Sequence, residues 1–376
     1  MRKRAAARAT AESSADTDRR FSASQWQLIW WSFRRHKLAV TAAPVLGVLY
    51  LLAIFSEFIA PYTARERFAE LLQAPPHTIH FVAPDGGLQW PFVYGYRRER
   101  DPETFRRHFV EEHTERYPVR FFVRGSEYKF WGLFRADLHL FGAPGGQVFL
   151  FGTDHLGRDL FSRVVYGARI SLTIGLVGVA LSLFLGVLLG GVSGYFGGVV
   201  DNVVQRIIDV LISIPTIPLW MVLAAALPQN WSIPKTYFAI TIILSIIGWT
   251  SLARVVRGKF LSVRGEDFVT AAKLAGTGEG VIIAKHLVPS FLSYIIVSLT
   301  LAIPNMILGE TALSFIGIGM LPPAVSWGVL LQDAQDVQAI AHSAWLLIPV
   351  VFVIITVLMF NFLGDGLRDA ADPYSQ

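Results

Sequence analysis

DFVTAAKLAGTGEGVIIAKHLVP, residues 267–289, reads as a short helical pair set between two long apolar runs. Phe268, Ala271, Ala272 and Ala275 fall at i, i+3, i+4 and i+7, which gathers them on one small apolar face. Gly276 follows directly and can take the left-handed conformation that ends a helix. Thr277 is placed to cap the next helix, and Glu279 suits its first turn. Pro289 then opens the following apolar run. A compact face of small residues on a basic loop suits the docking of a soluble partner. The alternative is a loop helix that packs only on its own chain.

The flanking runs make this a membrane loop. Of 376 residues, 53% are hydrophobic and only 16% are charged, too apolar a balance for a soluble protein of this size; the mean hydropathy is +0.47. The excess lies in residues 38–55, 170–193, 210–227, 237–253, 287–309 and 344–363, each with few or no charges. Each is near the length that crosses about 30 Å of hydrocarbon as a helix, which predicts six transmembrane helices. The formal net charge of +5 fits basic residues crowded on one membrane side and is not a signal for nucleic acid. Cysteine is absent, which excludes disulfides and thiolate metal sites. No cleavable signal peptide is expected, because the first apolar run begins near residue 38 after a long polar segment.

Residues 1–22 are expected to form a disordered tail, and 23–37 an interfacial helix with Trp26, Ile29, Trp30 and Phe33 as its apolar stripe. Arg34, Arg35 and Lys37 at the membrane edge place the N-terminus in the cytoplasm. With the first span over 38–60, parity puts Arg254, Arg257, Lys259, Arg264, Lys273 and Lys285 in the cytoplasm too. It leaves 228–236 and the Lys- and Arg-free 310–343 outside. The C-terminus ends inside. The Arg-containing segment 61–165 then lies outside, as long loops do regardless of charge. Within it, 77–96 reads as a hairpin turning at Pro84-Asp85-Gly86-Gly87, 116–134 as a second hairpin turning around Gly125, and 101–116 as a charged helix. On such a helix His108 and Glu112 would share a face, but His108 and His113 are five apart, the wrong spacing for zinc. A solvated charged face is the expected reading.

Gly186, Gly190 and Gly194 line one face of the second span and suit close helix packing in lipid. Asp201, Arg206 and Asp209 lie near the cytoplasmic end of the third, where they could pair with one another or gate the inner mouth. Pro215 and Pro218 break that helix, either as a plain kink or to free carbonyls toward a cavity. Glu310, after the fifth span, could line the outer half of a pathway with Asn305 or sit at the water interface. No G-x-x-x-x-G-K-[ST] occurs, so nucleotide hydrolysis is not expected of this chain.

Several of these stretches resemble one family. In 267–289, Ala271-Ala272, then Gly276 after three residues, then Leu287-Val288-Pro289 starting eleven residues later, resemble the cytoplasmic coupling loop of ABC-transporter permeases. FGTDHLGRDLFSRVVYGARISL (151–172), LSFIGIG (313–319) with Pro322-Pro323 and Ser326-Trp327-Gly328, GDGLRDAADP (364–373) and WSFRRHKLA (31–39) are similar to the C-type subunit of the dipeptide/oligopeptide/nickel importer class. The resemblance covers about 31–60 and 151–373. It implies an all-α polytopic membrane protein of the type I ABC importer permease fold, with an extracytoplasmic α+β insert at 61–165 and a permease core over 166–376. Within that core the coupling loop spans 258–288. Phe268, Ala271, Ala272, Ala275, Gly276, Leu287 and Pro289 would couple to ATPase subunits, and Asp209, Asn305 and Glu310 would serve the pathway or gate. The implied setting is the bacterial inner membrane. The implied partners are a homologous second permease, two ATPase subunits holding ATP and Mg, an extracytoplasmic substrate-binding protein and membrane lipid, with no cofactor or metal on this chain. Peptide is the implied cargo, with oligosaccharides, opines or nickel as alternatives. Two features depart from the family pattern: Thr270 stands where the general motif has Glu, and the insert is longer than usual. A secondary transporter or channel would instead bury charges at mid-membrane, and an enzyme would need a convergent constellation in the insert.

Overall fold

The computed structural model describes residues 25–82, 87–100 and 107–371; the tail expected to be disordered, 1–22, lies outside them. Helix α1 (Gln25–Arg35) leads to His36, whose Nδ1 accepts the Ala39 N–H at 3.2 Å and caps α2 (Lys37–Ile54). A single turn, Ser56–Ile59, follows, and the insert comes after it. Asp159 then caps α3 (Leu160–Phe196), a helix of 37 residues and so about 55 Å long, well beyond a bilayer core. Its first turns therefore stand in the insert.

Helices α4 (Gly198–Ser213) and α5 (Thr216–Ala225) meet at 86° across Ile214-Pro215. Pro218 sits in the first turn of α5, where its missing N–H costs nothing. The proline pair thus makes a broken span rather than a mild kink. Then come α6 (Ile233–Val263), α7 (Asp267–Leu274), α8 (Glu279–Ile282), α9 (Leu292–Ile316), α10 (Trp327–Gln332) and α11 (Ile348–Ala371). Among the described residues five helices are long and apolar enough to cross a membrane, or six if the bent α4–α5 pair is one span.

The glycine ridge of α3 faces α6. A Cβ on Gly186 would lie 3.0 Å from the Leu252 side chain, one on Gly190 2.8 Å from the Ala253 Cα, and one on Gly194 2.8 Å from the Arg257 carbonyl oxygen. The backbones touch because these positions carry no side chain. Leu172, Ile240, Leu244, Ile307 and Trp327 fill the core that joins α3, α6, α9 and α10. At the other end of the bundle from the insert, Phe33 of α1 packs with Leu363, Leu367 and Ala370 of α11, which brings both chain ends to one side.

Two sheets form the insert. Strands β1 (His80–Val82), β2 (Leu88–Arg100) and β3 (Arg107–Pro118) make an antiparallel sheet, and β4 (Arg120–Phe130) pairs with β5 (Phe134–Gly142). β1 and β2 pair antiparallel within the expected first hairpin, whose turn, but for Gly87, lies outside the described residues. The helix expected over 101–116 is not found: its described part, from 107, is strand. β3 pairs along β2 from Phe92↔Pro118 to Arg100↔Arg107, and this long-range ladder overrides a local helical bias. His108 consequently faces Glu99 at 3.8 Å, His113 packs on the Tyr94 ring at 4.4 Å and His80 meets Glu111 at 3.3 Å. His80 also packs on the Tyr94 ring, at 4.9 Å, so Tyr94 lies against both His80 and His113, while His108 pairs with Glu99. In the second hairpin the turn lies at 131–133, not at Gly125. Gly125 instead falls in the register shift between Arg124 and Tyr128, where a Cβ would lie 2.9 Å from His139.

Candidate functional site

The 267–289 segment is built by helix-end chemistry. Gly276 has φ +75°, its N–H donates to the Lys273 carbonyl at 3.0 Å, and the Thr277 N–H donates to the Ala272 carbonyl at 3.0 Å. Both bonds together are the Schellman ending, which needs a left-handed residue at this position. Gly278, not Thr277, caps α8, because the Thr277 backbone is already used in closing α7. Glu279 does occupy the first turn. A π-helical turn, Ile283–Leu287, and a short turn, Val288–Ser290, lead to α9, so Pro289 precedes the span by three residues.

The apolar face expected on α7 is divided. Val269 is fully buried with Ile282 and Leu287 against Phe260 and Phe291, and Ala272 leans on the same cluster. Lys273 sits over the Tyr195 ring at 5.0 Å. Leu287 therefore anchors the loop. Turned outward are Phe268 (45% exposed), Leu274 (85%), Ala271, Ala275 and Gly276, with Pro289 also exposed. Leu274 and Val269 were not singled out by the sequence pattern. A large apolar residue directly before Ala-Gly at a helix end was the available signal.

The two aspartates of α4 pair with arginines of α6 and not with Arg206 of their own helix. Asp201 accepts from Arg257 at 2.5 Å and from Ser193 at 2.5 Å, and Asp209 accepts from Arg254 at 2.5 Å near the surface. Asn305 is exposed on α9, whereas Glu310 is fully buried inside that helix, neither past its end nor at a water interface. Five residues apart, the two face different ways. The Glu310 carboxylate accepts from Ser326 at 2.6 Å, Ser314 at 2.8 Å and Ser171 at 3.4 Å. Ser326 also caps α10, and the Trp327 N–H donates to Ser171 at 3.0 Å. One buried carboxyl thus fastens the 313–328 loop to α3 and α9. Between α3, α6 and α9 lies a cavity lined in part by Ser182, Ser251, Tyr294 and Ser298.

At the insert end, the 151–163 stretch makes a layer of ion pairs. Buried Asp154 accepts the Leu156 and Arg158 N–H groups at 2.8 and 2.9 Å, the Arg158 Nε at 2.7 Å, and Arg163. Burial alone would raise this carboxyl, but the Arg163 charge and the Arg158 bonds hold it below the usual carboxylate range. His155 lies 3.1 Å from Asp333, whose hydrogen bond raises it. Asp154, His155 and Asp333 are ligand types brought close together, yet Arg158 and Arg163 already occupy the Asp154 oxygens. Asp159, wholly buried, is pushed up to about 7 by burial; its Oδ2 caps Ser162 and its Oδ1 has no partner.

Similarity to known proteins follows this architecture. The family model described as binding-protein-dependent transport system inner membrane component matches residues 164–374, and that of the N-terminal TM domain of oligopeptide transport permease C matches 24–76. The oligopeptide transport system permease protein OppC of Bacillus subtilis is 38% identical over 231 residues, 61% of this chain and 73% of that one. OppC of Haemophilus influenzae is 42% identical over 224 residues, 59% and 70% of the two chains. The dipeptide transport system permease protein DppC of Bacillus subtilis is 40% identical over 223 residues, 59% and 68%. The inward-facing MetNI methionine ABC transporter gives a TM-score of 0.42 at 18% identity, over 56% of this chain and 97% of that one.

Proposed function

The chain belongs to the family of binding-protein-dependent transport system inner membrane components, and from that premise we propose that it forms half of the translocation pathway of a peptide importer. The observation that carries this reading is its 38–42% identity to oligopeptide and dipeptide permease subunits over most of their length. A homologous second permease supplies the other half. An extracytoplasmic binding protein delivers the peptide, and two ATPase subunits, with their ATP and Mg, dock on the loop side. The basic loop and both chain ends face the cytoplasm, in keeping with Arg34, Arg35 and Lys37 at the first span and Arg254, Arg257 and Lys259 at the fourth.

Docking falls to Phe268, Ala271, Leu274, Ala275 and Gly276, the outward side of α7, with Val269, Ala272 and Leu287 holding the platform to the spans. Nucleotide-driven closure of the ATPases then moves a rigid unit, because α7 is fixed to Phe260 and Phe291 at the ends of α6 and α9. Asn305 and the hydroxyls of Ser182, Ser251 and Ser298 face the pathway, Asp209 with Arg254 borders its inner mouth, and Glu310 holds the loop that borders its outer mouth. Cells lacking this chain are expected to lose uptake of a labelled oligopeptide and to regain it from a plasmid copy. Undiminished peptide uptake, with uptake of an oligosaccharide, an opine or nickel lost instead, would move the cargo to that class.

A further inference from the structure

The β4–β5 hairpin runs back toward the membrane. Phe122 packs on Phe58 with ring centroids 6.3 Å apart, the His139 Nδ1 bonds the Ala60 carbonyl at 2.5 Å, and Phe130 stacks on Phe55 at 6.1 Å. At the turn, the Trp131 Nε1–H donates to the carbonyl of Ile54, the last residue of α2, at 3.0 Å. Passing from 122 to 131 along β4 therefore retraces the chain from Phe58 down to the end of the first span. Trp131 is held there at φ +50°, an unfavourable conformation for a residue with a side chain, by its N–H on Glu57 at 3.2 Å and by the Arg169 guanidinium 4.2 Å over its ring.

Beyond Trp131 the tip is apolar and uncovered: Leu133 is 76% and Phe134 69% exposed. Such groups side by side mark a surface that something covers. Phe130 and Trp131 adjoin Phe55 and Ile54, which with Leu51 are exposed at the outer end of a helix apolar enough to cross a membrane. Just behind the tip, Lys129 and Arg135 lie directly opposite each other and both are exposed. Like charges so placed repel unless an anion lies between or above them. Apolar tip, tryptophan collar and a basic pair follow in the order of acyl chain, interface and phosphate.

We propose that residues 130–134 are an interfacial anchor. Leu133 and Phe134 enter the acyl region of the leaflet on the insert side, Trp131 lies at its boundary, and Lys129 and Arg135 meet phospholipid phosphates. The insert is thereby tied to the bilayer beside the outer end of the first span.

The chain has no cysteine, so Leu133→Cys, Leu51→Cys and Arg120→Cys each accept a single nitroxide. The unsubstituted chain gives the labelling background. Arg120 is the far end of the same hairpin, about 30 Å from the turn at strand rise. The full chain with its co-purifying subunits is reconstituted in phosphatidylcholine bilayers, and collision rates with oxygen and with a polar nickel chelate are measured. The oxygen-to-nickel ratio at 133 is expected to match that at 51 and to exceed that at 120 several-fold. A ratio at 133 equal to that at 120 puts the tip in water, and an immobilised nitroxide reached by neither reagent puts a protein surface on it. Either result overturns the proposal. Phe134→Cys is the second reporter should Leu133→Cys not reach the membrane.

Discussion

Replacing Gly276 by Val tests the coupling loop through its backbone, with Gly276→Asn, which also adds a side chain on the docking side, as the control. The residue sits at φ +75° and nothing lies within 4 Å of the position a Cβ would take, so the new side chain meets no clash. The cost is conformational. A left-handed backbone costs an L-residue about 1–2 kcal/mol, with β-branched residues worst placed. That corresponds to roughly a 5–30-fold loss of the capped turn. Without it the bonds Gly276 N–H to Lys273 and Thr277 N–H to Ala272 go, and the Phe268–Leu274 platform loses its fixed angle to α8. The bundle core is untouched, so the melting temperature is expected to move little. Peptide uptake and ATP hydrolysis are measured in the same proteoliposomes of the assembled importer. Uptake is expected to fall by about the same 5–30-fold while hydrolysis continues, and Gly276→Asn, which tolerates the left-handed region, is expected to stay near the parent. Normal uptake by the Val variant, or equal losses for Val and Asn, would refute the reasoning.

Three further substitutions probe the frame. Gly190→Leu drives a side chain into the Ala253 backbone and is expected to cost about 1–3 kcal/mol; Gly47→Leu, with nothing within 4 Å, is expected to be neutral, and melting temperatures in detergent compare them. Asp159 has a folded pKa of about 7, above its ordinary value of 3.8. The folded state thus binds the extra proton, and this contribution is full below about pH 4 and lost as pH rises toward 7. Asp159→Asn keeps an acceptor for Ser162 without the charge. It is expected to melt above the parent at pH 8 and close to it at pH 5; the same difference at both pH values would show that ionisation is not the cause.

The membrane frame was legible because its signals are long and redundant. Runs of apolar residues, the basic loop and the Gly186/Gly190/Gly194 ridge each follow from a single physical requirement; five long helices overlap the apolar runs, whereas the run 210–227 straddles the 86° break between α4 and α5. Gly276 was readable for the same reason, since few residues suit a helix-ending left-handed turn. The insert was harder. Local composition over 101–116 suggests a helix, but strand pairing with β2 is a long-range effect that a window cannot see. Gly125 read as a turn although its absent side chain makes room for His139. Ser314 is within helical reach of Glu310, but the arginine partners of Asp201 and Asp209 lie on another helix and Ser326 in a distant loop, and no spacing rule announces Arg257, Arg254 or Ser326. On α7, the 3.6-residue period picked out Phe268, Ala271, Ala272 and Ala275 but neither Val269 nor Leu274, nor which side the body of the protein would claim. Val269 and Ala272 went inward and Leu274 outward because of Phe260 and Phe291.

The most direct measurement is to isolate the tagged chain from its native membrane in a gentle detergent and identify what accompanies it. A second six-span permease and ATPase subunits are expected, and their loss on replacing both Phe268 and Leu274 by Asp would locate the contact on α7. A chain that arrives alone, or only with copies of itself, would contradict the importer assembly and bring forward a secondary transporter or channel.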